Sequence, residues 1–278
     1  MKPLIALLLL LLPSLLSAES VLIMGSSIVQ PPVADAVKTL RNEKGMEIEF
    51  SVGPGVSGGL AALAAGTTKL VMMAREIEPD DRANYPNVQF QQVKLARQVA
   101  ALCVASDVWN SGIHQLTAEQ VRGIYEGRIT NWKELGGLDE KIVFFHWEEG
   151  LGMWELMATW LYGNISRAPK GKFTPVESNE EARNSVEFTK GAMGVMSPKV
   201  ASPGWAYPLA LVIDGQSIPP TVKNIASGAY SLSRPLVMVS DDRPTGEAKK
   251  IVDYLLSPAG QECFAKKGFF TMIELGEN

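Results

Sequence analysis

The sequence predicts an α/β protein of two lobes, each with a mostly parallel sheet flanked by helices. A plan of buried strand, glycine-containing turn and helix occurs three times along the chain, and repeated units of this kind build parallel sheets. Two long apolar strands, at 95–105 and 230–239, are suited to carry the chain from one lobe to the other and back. We therefore expect two hinge crossings, near residues 100–108 and 226–236.

The N-terminal residues 1–18 have the pattern of a signal peptide. Lys2 precedes an apolar run from Leu4 to Leu12, and Ser17-Ala18 follows that run before the first acid. The run is shorter than the ~20 residues that a membrane-spanning helix needs. We expect cleavage after Ala18 and export to the periplasm.

Composition restricts the class of partner. The formal net charge of −4 argues against nucleic acid or an anionic membrane surface. An apolar fraction of 46% is typical of a folded globular protein. Export permits a disulfide between Cys103 and Cys263, but one pair is weak evidence, and we favour two buried free thiols.

Two units of the strand, turn and helix plan open the mature chain. Strand 21–24 is followed by Gly25-Ser26-Ser27 and by a helix that begins at Pro31, and the second unit, 47–66, has a glycine-rich turn around Ser57. Glycine lets the backbone approach a ligand closely, and a helix N-terminus presents free N–H groups to it. The turns are therefore candidate anion-binding sites; the alternative is that they join strand to helix and bind nothing.

Arg75 adds a cation to the same edge of the predicted sheet. It follows directly after a third strand, 70–74. Because the carboxyl ends of parallel strands meet at one edge, we expect Ser26, Ser57 and Arg75 to lie close together.

The middle of the chain contains the third unit. Strand 142–147 leads through Glu148 and Glu149 to a turn at Gly150 and a helix that reaches Tyr162. Two further helices begin with capping boxes, one formed by Thr117 and Gln120 and the other by Ser178 and Glu181. The remaining predicted elements are strands 192–196 and 209–213 and helices 245–256 and 258–267.

Residues 53–58 match the pattern G-x-G-x-x-G, and Glu76 lies about 20 residues further on, as in a dinucleotide-binding fingerprint. Three points argue against that function. The motif is not on the first strand, Pro54 stiffens the turn, and export removes the protein from the cytoplasmic pool of NAD. We expect no cofactor.

The residues of common catalytic sites are sparse. The two histidines, His114 and His146, form no H-E-x-x-H motif, and the chain has no G-x-S-x-G turn. We favour a packing role for His146, which ends a strand. The sequence therefore predicts neither an enzyme nor a metal site.

Several of these segments together resemble the periplasmic phosphate-binding proteins of ABC importers and their substrate-binding relatives. The resemblance covers essentially the whole mature chain. It rests on residues 24–32, 55–59, 66–75, 116–132, 191–195 and 230–236.

The resemblance implies two lobes, 19–104 plus 230–278 and 105–229, that close on phosphate or another small oxyanion. It also implies a monomer that delivers this solute to an inner-membrane ABC permease. The ligand-binding residues it implies are Ser26, Ser27, Ser57, Gly58, Gly59 and Arg75 in the first lobe and Gly150, Leu151, Gly152 and Met153 in the second.

The second-lobe turn departs from the family pattern, which is Arg, two residues, and then Gly-Ser-Gly-Thr. Here Trp147 stands at the arginine position, and residues 150–153 are Gly-Leu-Gly-Met. In the first lobe, Lys69 stands where the family has Asp, and Ala74 where it has Ser. Each lost hydrogen bond to a desolvated anion weakens binding by about 1–3 kcal/mol, so we expect reduced affinity for phosphate.

An alternative hypothesis is a ligand-free envelope sensor or interaction protein that retains the binding-protein fold. It predicts an exposed apolar surface at Trp147 and Met153 that a partner covers. If these residues and Trp154 are instead part of the second-lobe core, that surface is absent.

Overall fold

The structure is a computed structural model that describes residues 20–201 and 204–277. The predicted signal peptide lies outside the described residues. Among the residues described, no helix combines the length and the apolar character needed to cross a bilayer.

The described residues form strands and helices in alternation along much of the chain. The strands are β1 Val21–Gly25, β2 Ile48–Ser51, β3 Leu70–Met73, β4 Phe90–Val99, β5 Ala101–Val104, β6 Gln115–Thr117, β7 Val143–Trp147, β8 Thr174–Val176, β9 Ala192–Met196, β10 Tyr207–Pro208, β11 Ala210–Ile213, β12 Gln216–Ile218, β13 Ser233–Asp241 and β14 Phe270–Thr271. The α-helices are α1 Gln30–Lys44, α2 Gly55–Ala64, α3 Pro79–Asn84, α4 Ser106–Asn110, α5 Ala118–Tyr125, α6 Gly152–Tyr162, α7 Asn179–Glu187, α8 Val222–Ala226, α9 Gly246–Leu256, α10 Pro258–Lys266 and α11 Met272–Leu275. Short 3₁₀ helices cover Trp132–Leu135 and Ile165–Arg167.

The two-lobe α/β prediction is confirmed by three sheets. The first lobe holds a six-stranded sheet in the order β14-β4-β13-β3-β1-β2. The second lobe holds a five-stranded sheet, β10-β5-β9-β7-β8, and a small sheet, β12-β11-β6. One cluster of buried apolar side chains lies in the first lobe. Another is centred on the second lobe and also includes Phe270, Met272 and Leu275 from the C-terminal end of the chain.

The sheets are mixed rather than mostly parallel. Within the first lobe, β1 pairs in parallel with β2 and with β3, as the strand, turn and helix plan predicts. The crossing strand β13 pairs antiparallel with both β3 and β4. Parallel pairing, as expected, therefore holds among the strands of the repeated units. The crossing strand β13, by contrast, is antiparallel to its neighbours.

The chain crosses between the lobes at Ala100. The predicted single strand 95–105 is two strands, because β4 belongs to the six-stranded sheet and β5 to the five-stranded one. Ala100 N donates to Leu232 O at 3.1 Å, and Tyr230 Oη donates to Ala100 O at 3.0 Å. The outgoing and returning crossings are therefore bonded to each other, as a paired hinge requires.

The two cysteines are free thiols, as favoured from the sequence. Cys103 is buried within β5, and Cys263 on α10 is only partly buried. The expectation that both are buried thus holds for Cys103 alone.

Gly59 brings α2 against the first sheet. A Cβ atom at this position would lie 2.8 Å from Val71 Cγ1 and 3.4 Å from the Cα of Gly25. The helix therefore packs on β3 and on the end of β1 at a distance that a larger residue does not permit.

We expect Gly59→Ala to lower the free energy of unfolding by about 1–3 kcal/mol, because the added methyl group overpacks this contact. Urea denaturation measures the change. Gly53→Ala is the matched control, since a Cβ there meets no atom within 4 Å; its expected change is below about 0.5 kcal/mol. Equal effects of the two substitutions would contradict the packing role of Gly59.

Candidate ligand-binding cleft

A cleft of about 570 Å³ lies between the lobes. Its walls come from the first-lobe turns, from α6 and the residues just after it, and from the start of β13. The lining residues are Ser26, Ile28, Val56, Ala74, Arg75, Glu78, Glu155, Leu156, Thr159, Trp160, Gly163, Asn164, Ile165, Ser231, Ser233 and Arg234.

A smaller cavity of about 170 Å³ shares Ile28 with this cleft. It is lined by Ser27, Ile28, Pro31, Gln98, Trp147, Gly152, Met153, Asn179, Lys267, Gly268 and Phe269. Ile28 thus lines both spaces.

The sequence-predicted ligand residues divide among these spaces. Ser26 and Arg75 line the larger cleft, and Ser27, Gly152 and Met153 line the smaller cavity. The residues that line neither of the two are Ser57, Gly58, Gly59, Gly150 and Leu151.

Three helix N-termini border the interlobe space without a side-chain cap. They belong to α1, α2 and α6, whose N-cap residues are Val29, Pro54 and Leu151. Hydroxyls cap α5, α7 and α10, whereas α4 and α9 also lack a side-chain cap. An uncapped N-terminus can leave backbone N–H groups and the positive end of the helix dipole available to an anion. In α1, however, Gln30 N already donates to Ser26 O at 3.2 Å, and the next two residues are prolines without an N–H. The free donors therefore belong to α2 and α6.

In the second lobe the available donors come from the start of α6. Its first intrahelical bond runs from Glu155 N to Leu151 O at 3.0 Å. The N–H groups of Gly152, Met153 and Trp154 therefore have no acceptor within the helix.

In the first lobe the donors are fewer than the glycine-rich sequence indicates. Gly58 N already donates to Pro54 O at 3.2 Å, and Gly59 is buried against β3. The N–H groups of Val56 and Ser57 precede that bond and are the ones left at the start of α2.

The two halves of the site touch each other. An ideal Cβ on Gly152 would lie 3.0 Å from Ile28 Cγ1, so the first-lobe turn is in contact with the start of α6. The lobes therefore meet at this point, on one side of the larger cleft.

Arg75 is already bound by a carboxylate. Its Nη1 and Nη2 lie 2.5 and 2.9 Å from the two oxygens of Asp81, and Nη1 also donates to Glu76 O at 2.9 Å. The hydrogen bond from Arg75 lowers the pKa of Asp81, and the same bond raises the pKa of Arg75. An anion in the cleft would share this guanidinium with Asp81.

Arg234 is a second cleft arginine, which sequence reasoning did not assign to the site. Its Nη2 donates to Gly152 O at 2.6 Å and its Nε to Gln98 Oε1 at 2.8 Å. Nη1 lies 3.6 Å from Glu155 Oε2. Burial lowers the pKa of Arg234, opposed by Glu155.

In the sequence, Arg234 is distinguished only as part of residues 230–236, one of the segments that carry the family resemblance. Its partner Gly152 is 82 residues away in the chain. No local pattern links the two, so the contact needs the folded structure.

Around the second-lobe turn, Met153 belongs to the core and Trp147 packs against it, whereas Leu151 is 36% exposed. Met153 is 5% exposed, Trp147 Nε1 donates to Val195 O at 3.0 Å, and Trp154 Nε1 donates to Tyr125 Oη at 3.2 Å. The exposed Trp147 and Met153 surface that the interaction-protein hypothesis requires is therefore not present.

The fold and the interlobe cleft define a two-lobed ligand-binding protein. Residues 14–259 match the family model described as PBP superfamily domain, and the chain belongs to this family. The resemblance inferred from the sequence is thereby confirmed.

Proteins of similar sequence and similar structure agree with this assignment. The chain is 28% identical over 245 residues to the phosphate-binding protein PstS of Bacillus subtilis (strain 168), which covers 87% of this chain and 76% of that protein. It superposes on an ABC-type phosphate transport receptor from Vibrio cholerae with a TM-score of 0.72 and 23% identity, covering 91% of this chain and 99% of that one. PstS from Borrelia burgdorferi gives a TM-score of 0.71 at 21% identity, with 90% and 98% covered. At these identities the two solved structures show the shared fold alone.

Proposed function

We propose that this protein is the periplasmic substrate-binding component of an ABC importer and that it binds a small oxyanion, phosphate being the first candidate, between its lobes. The observation that carries the proposal is the pair of uncapped helix N-termini, those of α2 and α6, at the interlobe space. A tetrahedral oxyanion accepts hydrogen bonds on every side, and these N-termini supply donors. The names of the relatives, a phosphate-binding protein and a phosphate transport receptor, point to the same ligand.

The charged groups set the strength of binding. The family arginine of the second-lobe turn is replaced by Trp147, but Arg234 reaches the carbonyl of Gly152 from the hinge strand. Arg75 and Arg234 each face a carboxylate of this chain as well. A phosphate would compete with these carboxylates, so the expected affinity is lower than a pair of unshared arginines would give.

The protein acts, on this proposal, as a monomeric solute receptor and not as an enzyme. The lobes close by bending at the paired crossings near Ala100 and Leu232. The closed form is the one that an inner-membrane permease would recognise.

Calorimetric titration tests the ligand. We expect phosphate to bind. We also expect Arg75→Ala and Ser26→Ala, at two residues that line the cleft, each to raise the dissociation constant by roughly 5- to 150-fold, as removal of one hydrogen-bond donor to an anion does. Sulfate and small carboxylates are titrated beside phosphate to identify the preferred oxyanion.

Arg243→Ala is the control for the arginine substitution. This exposed residue follows the far end of β13, away from the cleft, and its removal should leave affinity unchanged. Unchanged affinity in the combined Arg75→Ala, Ser26→Ala variant would show that the anion does not bind beside these first-lobe residues.

A further inference from the structure

We propose that the oxyanion bound by this protein carries an apolar organic substituent, as in a phosphonate or a phosphate monoester, and that Trp160 packs against that substituent. This inference rests on the proposed function, because it extends the same anion site. It concerns the part of the cleft that the anion itself does not fill.

The first argument is space. The cleft has a volume of about 570 Å³, within the range of roughly 300–1,000 Å³ that is typical of sites for organic ligands. An inorganic phosphate has five non-hydrogen atoms and occupies about the volume of two or three waters, at ~30 Å³ each. Most of the cleft would remain unfilled around it.

The second argument is that the lobes already meet. Ile28 contacts Gly152, and Arg234 on the hinge strand donates to Gly152 O at 2.6 Å. These contacts lie where the first-lobe turn meets the start of α6. The cleft volume is therefore not produced by lobes held wholly apart, and it extends along α6 away from this contact.

The third argument is the chemistry of that extension. Leu156 and Trp160 are four residues apart on α6 and so share one face of the helix, and both line the cleft together with Ile165. Ile165 is 44% exposed. Trp160 Nε1 already donates to Ser231 Oγ at 2.9 Å, so its ring offers the cleft mainly apolar surface.

Distances along α6 place the apolar side chains of the cleft away from the start of this helix. Leu156 and Trp160 lie four and eight residues beyond Gly152, which at a rise of 1.5 Å per residue is about 6 and 12 Å along the axis. Because Gly152 lines the smaller cavity, the anion that carries the substituent is the one beside Ser26 and Arg75, which line the same cleft as Trp160.

The charges do not call for a cationic substituent. The acids that line the cleft are Glu78 and Glu155, and each lies within 4.0 Å of an arginine, Arg75 at 3.9 Å and Arg234 at 3.6 Å. Both carboxylates are therefore partnered within the described part of the chain. The wall also includes the polar residues Thr159, Asn164 and Ser231. It therefore accommodates an uncharged substituent whose apolar part packs against Trp160.

Titration of the mature protein with phosphate, methylphosphonate, phenylphosphonate and phenyl phosphate tests the proposal. We expect phenylphosphonate or phenyl phosphate to bind at least about tenfold more tightly than phosphate, because its ring is buried against Trp160. The phosphonate and ester arms identify which class of compound is preferred.

Trp160→Ala should remove most of the preference for the phenyl compounds. Ile165→Ser is a second variant that reduces the same preference at a more exposed position, should Trp160→Ala fail to fold. Phe188→Ser is the control, because Phe188 follows α7, is 80% exposed and lines neither interlobe cavity; it should leave all affinities unchanged.

Two results would overturn the proposal while leaving the proposed function intact. One is phosphate binding at least as tightly as every organic compound. The other is a preference for the phenyl compounds that persists in both Trp160→Ala and Ile165→Ser. Failure of all four compounds to bind would instead overturn the proposed function, and this inference with it.

Discussion

Acidification from pH 6.5 to pH 4 is expected to lower the free energy of unfolding by about 3 kcal/mol through His146 alone. The imidazole is 0% exposed, and neither ring nitrogen has a hydrogen-bond partner within residues 20–201 and 204–277. It lies among the rings of Phe144, Phe173 and Tyr125, with centroids 5.6, 5.1 and 6.2 Å away. Burial in these surroundings lowers the pKa of His146 from 6.5 to about 3.

The direction follows from proton uptake by the two states. Above pH 6.5, His146 is neutral in the folded and the unfolded protein, and its contribution does not change with pH. Below pH 6.5 the unfolded chain takes up a proton that the folded protein does not bind until about pH 3. Stability is therefore lost at about 1.4 kcal/mol per pH unit across this window.

Urea denaturation of the wild type and His146→Phe at pH 7.5, 5.5 and 4.5 measures this term. Phenylalanine suits an aromatic surrounding and removes two unpaired polar atoms, so the variant should be at least as stable at pH 7.5. It should also lose less stability on acidification. Carboxylates with lowered pKa values, such as Asp81, titrate in both proteins and cancel in the comparison; parallel pH profiles would contradict the assignment to His146.

The sequence predicted the local elements well because their signals are local. Strand 192–196 has the predicted bounds, and the capping box of Thr117 and Gln120 forms with both of its hydrogen bonds. Ser178 also caps its helix by accepting from Glu181 N, but the Glu181 carboxylate accepts from Glu177 N instead of completing the box. Periodicity and capping residues therefore fix most element starts to within a residue or two.

The sequence did not predict features that depend on distant contacts. Ala100 divides the predicted strand 95–105 into β4 and β5, although it lies inside a continuous apolar run. The division arises because the residues on its two sides pair in different sheets. Antiparallel β14 pairs with β4 across more than 170 residues of chain. Neither pairing leaves a periodic signal in the sequence.

The same limit applies to the site. Turns at Ser26, Ser57 and Gly152 were predicted from glycines and helix starts, which are local features. The hydrogen-bond partners of the site residues could not be predicted from such local features. Asp81, for example, binds Arg75 from α3, a helix that was not predicted from the sequence. Fewer hydrogen-bond donors are therefore available to an anion in the folded structure than the glycine-rich turns and Arg75 indicate in the sequence.

Arg234→Met is expected to lower the free energy of unfolding by about 2–4 kcal/mol. The side chain is 17% exposed and satisfies Gly152 O and Gln98 Oε1 by hydrogen bonds. Removal leaves these two acceptors and the Glu155 carboxylate without their cation, and losing one member of such a buried set costs more than the pair itself contributes. Because the arginine stands on the hinge strand and Gly152 begins α6, the loss should also loosen the lobes, raising the radius of gyration measured by small-angle X-ray scattering.

Arg234→Lys and Arg243→Met separate charge from geometry. Lysine keeps the positive charge but cannot donate in three directions from a planar group, so it should recover less than half of the lost stability. Arg243 is exposed beyond the far end of β13, and its replacement by methionine should change stability by less than about 0.5 kcal/mol. Full recovery by lysine would mean that charge alone matters at this position. Equal effects of Arg234→Met and Arg243→Met would mean that the contact with Gly152 does not hold the lobes together.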